Sequence, residues 1–179
     1  GTELYVSEFS ADAVARYDVA TRQGSRILLP SDFGPRHIIL NADESRAYVL
    51  GELSGKVAVI DTESDSIVQT VSADTVHARG SADIHLSPDG KFLYASNRLK
   101  NDGIAIFKVD PDATLIYAGY QNTGAHPRNF NITPNGKFLL VACRDSGCIQ
   151  IFRRDARTGL LSDTGRTIVL DKPVCIVFQ

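Results

Sequence analysis

The 179-residue sequence contains no Met and no Trp, has only three Cys, and draws just 8% of its residues from Phe, Trp and Tyr. With no Met, the chain is expected to be a processed or excised piece, Gly1 marking a processing or cloning start or a fragment edge. Cys143, Cys148 and Cys175 are too few, and odd in number, for a disulfide framework. Cys143 and Cys148 are five positions apart, which is not a C-x-x-C spacing. They read as small hydrophobes of a reducing compartment, so a cytoplasmic location is expected. No apolar run approaches the roughly 20 residues of a membrane span, and the first residues form no secretory apolar core. Charge of one sign is also lacking. Nineteen Lys+Arg against 21 Asp+Glu give −2, which excludes a polybasic nucleic-acid arm and an acidic disordered tail. Neither a nucleic acid nor a membrane is expected as partner.

What is present is a repeat. Ile84-His85-Leu86-Ser87-Pro88-Asp89-Gly90-Lys91-Phe92-Leu93-Tyr94 is echoed by Phe130-Asn131-Ile132-Thr133-Pro134-Asn135-Gly136-Lys137-Phe138-Leu139-Leu140. A weaker copy runs from Ile38 to Tyr48. Leu40, Leu86, Ile132 and Phe178 are spaced by 46, and Pro35, Pro127 and Pro173 keep that register. Each unit carries a short strand, a turn rich in Pro, Asp, Asn and Gly, and a second strand (46–50, 92–96, 138–142). An alternating third strand (57–60, 104–109, 149–153) and a poorer fourth (67–71, 115–120, 166–170) complete it. No stretch has a convincing 3.6-residue apolar period. Four strands per 40–50 residues, repeated, predict an all-β fold, a β-propeller of four-stranded antiparallel blades.

The count is about four blade equivalents in a single domain, 1–179, with repeats near 34–80, 81–126 and 127–172 and partial blades at both ends. The outer pieces, a second strand at 4–7 and a further first strand at 174–178, either close on each other into a four-bladed ring or belong to a larger propeller. The opening inside a strand favours the larger, partial-propeller reading. Open end faces would then favour self-association or pairing with the missing blades.

In such a meander, the second-to-third loops and the blade-to-blade connections share one rim. That rim holds the unusual residues: Gly34-Pro35-Arg36-His37, Gly51-Glu52-Leu53, Ser96-Asn97-Arg98, His126-Pro127-Arg128-Asn129 and Arg144-Asp145. Variable polar loops on a rigid scaffold are where function usually sits. Strand alternation puts Ile38/Leu40, Ile84/Leu86 and Phe130/Ile132 between blades. The opposite set, His37/Ile39, Asp83/His85 and Asn129/Asn131, is expected to face the central channel. Arginine forks match carboxylate and phosphate, so this cleft suits a small, anionic, oxygen-rich ligand. Glu or His could move a proton there, and Arg could hold a developing oxyanion. His85 reads as structural and His77 as a loop residue. No ligand cluster argues for a metal, and no cofactor is expected.

These same motifs, together with Tyr48-Val49-Leu50-Gly51-Glu52, Tyr94-Ala95-Ser96-Asn97-Arg98 and the closing Lys172-Pro173-Val174-Cys175-Ile176-Val177-Phe178, resemble the seven-bladed β-propeller lactonase family. The resemblance covers essentially the whole chain and implies a fold about twice this length, of which this is the C-terminal half. It implies a carboxylic-ester hydrolase acting on a small anionic sugar lactone such as 6-phosphogluconolactone, in carbohydrate metabolism. By the same resemblance, Arg36, His37, Glu52 and Arg98 are the expected catalytic residues. Asp83, Asn97, His126, Arg128 and Asn129 are the expected substrate-binding residues. Glu52 or His37 would activate water. Gly51 stands where the family usually has Asn, and the family's His-x-His segment has no counterpart here. The alternatives are a carboxy-muconate-type lactonising enzyme and a non-catalytic propeller scaffold.

Overall fold

The computed structural model describes residues 2–179. Fifteen antiparallel strands fall into four sheets. The first has three strands, β1 (Glu3–Glu8), β2 (Ala13–Asp18) and β3 (Gly24–Leu28), with one 3-10 turn after β1. Three four-stranded meanders follow. They are β4 (Pro35–Leu40), β5 (Arg46–Gly51), β6 (Lys56–Asp61) and β7 (Ser66–Ser72); then β8 (Ser81–Leu86), β9 (Phe92–Asn97), β10 (Gly103–Val109) and β11 (Leu115–Asn122); then β12 (Pro127–Ile132), β13 (Phe138–Cys143), β14 (Cys148–Arg154) and β15 (Leu161–Val169). The fold is the expected partial propeller.

The repeat is visible atom by atom at the first turn of each blade. Ser87 Oγ donates to Asp89 and accepts from the Phe92 N–H, and Gly90 N–H donates to the Ser87 carbonyl. Thr133, Asn135, Phe138 and Gly136 form the same set one blade on. Gly90 and Gly136 sit at φ +67° and +68°, the left-handed region that favours glycine. The weaker first copy has Glu44 there, at φ +58°.

The core lies between blades rather than within them. One cluster joins Leu50, Val57 and Val59 to Ile84, Leu93 and Phe107; a second joins Tyr94, Ile104 and Ile106 to Phe130, Val141 and Phe152. A third joins Val14, Ile27 and Phe33 to Val49 and Ile60. Each such side chain contributes about 1.5–3 kcal/mol when fully buried. Polar stitches repeat with the core. Tyr48 and Tyr94 donate their hydroxyls to the carbonyls of Ala113 and Gly159, each 65 residues on.

Three details differ from expectation. Residues 174–178 join none of the four sheets, and β1 pairs only with β2, so no four-bladed ring closes. Ile176 is held instead through its backbone, by the side chains of Asn129 and Asn131. β15 begins at Leu161 rather than 166, because a bulge at Ile151/Phe152 absorbs the extra residues and lets pairing continue. Ile39 packs against the core cluster between the second and third sheets. The end faces stay open: Phe138, Leu140 and Ile151 line a hollow of about 500 Å³ on the last blade.

Candidate active site

All three innermost strands break register at the same rim, at Pro35/His37 in β4, Ser81/Ile84 in β8 and Pro127/Asn129 in β12. A bulge bends the strand and re-aims its side chains. Here the unpaired residues include Arg36 and Arg128, two repeats apart. Asp12, just before β2, receives the N–H groups of Asp32 and Gly34 and so fixes the approach to Arg36.

Two polar groups result. In the first, the Glu52 carboxylate is bracketed by two guanidinium groups, Arg36 Nη1 at 2.8 Å on one oxygen and Arg98 Nη2 at 2.9 Å on the other. Arg36 Nε also donates to the Ala82 carbonyl, and Nη2 has no protein acceptor among the described residues. Arg98 is buried, with Nε on the Gly80 carbonyl and Nη1 3.2 Å from His126 Nε2. Burial works against the Arg98 charge, Glu52 supports it, and the charges of Arg36 and Arg128 weigh against it. Arg128 itself makes no side-chain hydrogen bond among the described residues. Two arginines thus hold the Glu52 carboxylate, and the Arg128 charge is felt at Arg98.

The second group centres on Asp83, whose side chain is 3% exposed. It accepts from His37 Nδ1 (2.7 Å), His85 Nε2 (3.1 Å), Asn129 Nδ2 (2.5 Å) and the N–H groups of Ile84 and Phe130. Burial pushes its carboxyl up, but the hydrogen bonds and charges from His37 and His85 outweigh it and hold the group well below the usual range. His37 is 44% exposed. Its ring opens, with Arg36, Asp83, His85 and Tyr5, onto a hollow of about 550 Å³.

The structure thus brings Arg36, Glu52, Arg98, His126 and Arg128 together, and joins His37, Asp83 and Asn129. Asn97 is placed apart: it is buried, its amide committed to Ser81 Oγ and the Ala73 carbonyl. His85 packs T-shaped with Phe130, its Nε2 on Asp83, and lines the same hollow as His37. Asp145 was not among the expected residues, yet its carboxylate lies 3.2 Å from His126 Nδ1. Its place in the Arg144-Asp145 loop was the only sequence signal.

Three bulged inner strands present arginine, histidine and carboxylate side chains at one rim of a partial propeller. The family described as "Lactonase, 7-bladed beta-propeller" matches residues 1–178, and the chain belongs to it. A 6-phosphogluconolactonase of Formosa agariphila is 37% identical over 93% of this chain and 49% of its own length. A crystal structure from Bacteroides uniformis, given provisionally as a 6-phosphogluconolactonase, is 53% identical with TM-score 0.92 over 98% of this chain and 54% of that one. The periplasmic gluconolactonase PpgL of Pseudomonas aeruginosa is 30% identical, with TM-score 0.89 over 98% and 53%. The chain spans about half the length of the curated relatives it matches. Among the described residues, no helix is long and apolar enough to cross a membrane.

Proposed function

We propose that this rim hydrolyses a sugar δ-lactone, with 6-phosphogluconolactone as substrate and His37 as the base. The observation that carries the reading is the His37–Asp83 pair: a buried carboxylate accepts a hydrogen bond from Nδ1–H and so leaves Nε2 as an acceptor on an exposed ring. Glu52 serves less well as a base, since both its oxygens are held by arginines.

In the proposed step, His37 Nε2 removes a proton as water attacks the lactone carbonyl carbon. The carbonyl oxygen gains charge and is met by the free Nη2 of Arg36, which Glu52 and the Ala82 carbonyl hold in orientation. Collapse breaks the ring C–O bond, and the imidazolium returns its proton to the leaving alkoxide. Arg128, with no side-chain partner of its own, supplies charge for the phosphate. Asp83 and Asn129 act behind His37, and Asn97, next to Arg98, ties β9 to Ser81 and to the Ala73 carbonyl of the β7–β8 connection. No metal enters this scheme, and a phosphorylated substrate goes with a cytoplasmic protein.

The test is proton release on adding 6-phosphogluconolactone, with spontaneous opening subtracted. Catalysed release that falls at least a hundredfold in His37→Gln supports the reading. Equal rates in the two proteins overturn it. Turnover of a carboxy-muconolactone in preference to the sugar lactone would instead assign the alternative substrate.

A further inference from the structure

A string of polar contacts, hydrogen bonds from His126 onward and an ion-pair distance at its outer end, runs behind the arginine bracket and reaches a residue with no place in the reaction so far. Asp145 Oδ2 lies 3.2 Å from His126 Nδ1, and His126 Nε2 lies 3.2 Å from Arg98 Nη1. Arg98 Nη2 continues to Glu52, and Glu52 to Arg36. A guanidinium can only donate. His126 Nε2 must therefore be the acceptor, and the neutral ring carries its proton on Nδ1, the nitrogen that lies 3.2 Å from Asp145 Oδ2. One neutral tautomer is compatible with both contacts. The backbone of His126 is fixed as well, its N–H on Asp102 and its carbonyl on the Arg144 N–H. It sits at φ +60°, a conformation that costs a side-chain-bearing residue energy and needs such restraint.

We propose that His126 and Asp145 are positioning residues that hold Arg98, and through Glu52 hold Arg36, in the arrangement the rim uses on its substrate. The inference rests on the proposed lactone chemistry for its consequence, but the string itself does not. It also carries a pH dependence. A proton added to His126 Nε2 would face the Arg98 N–H and break the string. The charged groups around the ring are Arg98 just after β9, Asp102 before β10, Arg128 on β12, and Arg144 and Asp145 in the β13–β14 turn. Burial, then Arg144 and Arg98, keep the imidazole below its ordinary range against the pull of Asp145. The string is accordingly intact at pH 7 and opens as the solution becomes acidic.

Two measurements test this. Nitrogen-15 NMR of the histidine rings in the whole chain should show His126 as the neutral Nδ1–H tautomer at pH 7, with titration displaced in Asp145→Ala. Finding the Nε2–H tautomer, or a protonated ring at pH 7, overturns the proposal whatever the enzyme does. Calorimetric binding of 6-phosphogluconate at pH 7 and 5 supplies the functional arm. His126→Ala and Asp145→Ala should each weaken binding about tenfold at pH 7. His126→Gln, whose amide oxygen accepts from Arg98 without titrating, should bind within threefold of the wild type. It should show only the ligand's own pH dependence, while the wild type loses a further several-fold. Equal losses in the wild type and His126→Gln overturn the positioning role. Failure of every protein to bind, with the tautomer as predicted, counts against the lactone reading and leaves the string supported.

Discussion

Replacing Asp83 by Ala removes the acceptor around which the inner strands are organised. Five donors converge on this carboxylate, from His37, His85, Asn129 and the backbone of Ile84 and Phe130. Two histidines can turn to water, but the Phe130 and Ile84 N–H groups are internal. Leaving buried donors unmatched costs about 1–3 kcal/mol apiece, and breaking a buried charged network about 3–5 kcal/mol in total. In a chain of this size that corresponds to a fall in Tm of roughly 10 °C. The same carboxylate sets an acid dependence. Its folded pKa lies below its unfolded value of about 3.9. Its stabilisation is therefore complete above that value and lost as pH falls through the folded one. Urea unfolding of wild type and Asp83→Ala between pH 7 and 3 checks both parts. The wild-type advantage should be constant down to about pH 4 and shrink below it. A loss under about 1 kcal/mol at pH 7, or an advantage that grows on acidification, would refute the reasoning.

Arg154 is a buried clamp far from the rim, bound to Asp89, the Tyr94 hydroxyl and the Gly136 carbonyl. Arg154→Ala should cost about 2–4 kcal/mol in urea unfolding and leave ligand affinity unchanged in a folded sample. Glu44→Gly should stabilise by about 0.5–1 kcal/mol, because the residue occupies the left-handed slot that glycine fills in the sister turns. Destabilisation by this change would mean the Glu44 side chain matters more than its backbone. Burial pushes the Cys143 thiol up to about 12, so at pH 8 about one molecule in ten thousand carries the thiolate. An aromatic disulfide reagent should label exposed Cys175 long before Cys143. Equal labelling rates would contradict the burial.

The blade architecture was legible because a 46-residue period fixes strand, turn and core positions together, as Ser87–Phe92 and Thr133–Phe138 show. Alternation also placed His37, Asp83 and Asn129 on one side of the inner strands, where they meet. What the pattern could not show was the bulge in each of those strands, which turns Arg36 toward Glu52 rather than along the strand's own alternation. Nor could it show that Asn97 faces inward: a polar residue before a loop is equally compatible with holding that loop. The Asp145 contact depends on the β13–β14 turn folding back onto His126, a tertiary matter that the Arg144-Asp145 loop sequence does not specify. The missing strand at 174–178 has a similar cause. A strand needs a neighbour to pair with, and β12 holds that segment through the Asn129 and Asn131 side chains rather than by a backbone ladder.

The central claim is that the arginine–glutamate bracket and the His37–Asp83 pair form one anionic-sugar site. Its most direct test is calorimetric titration of 6-phosphogluconate into the wild-type chain and into Arg36→Ala, both shown to be folded. The account predicts saturable one-site binding in the wild type, weakened at least tenfold when the free guanidinium edge of Arg36 is removed. Equal affinity in the two proteins, or no binding by folded wild type, would contradict it.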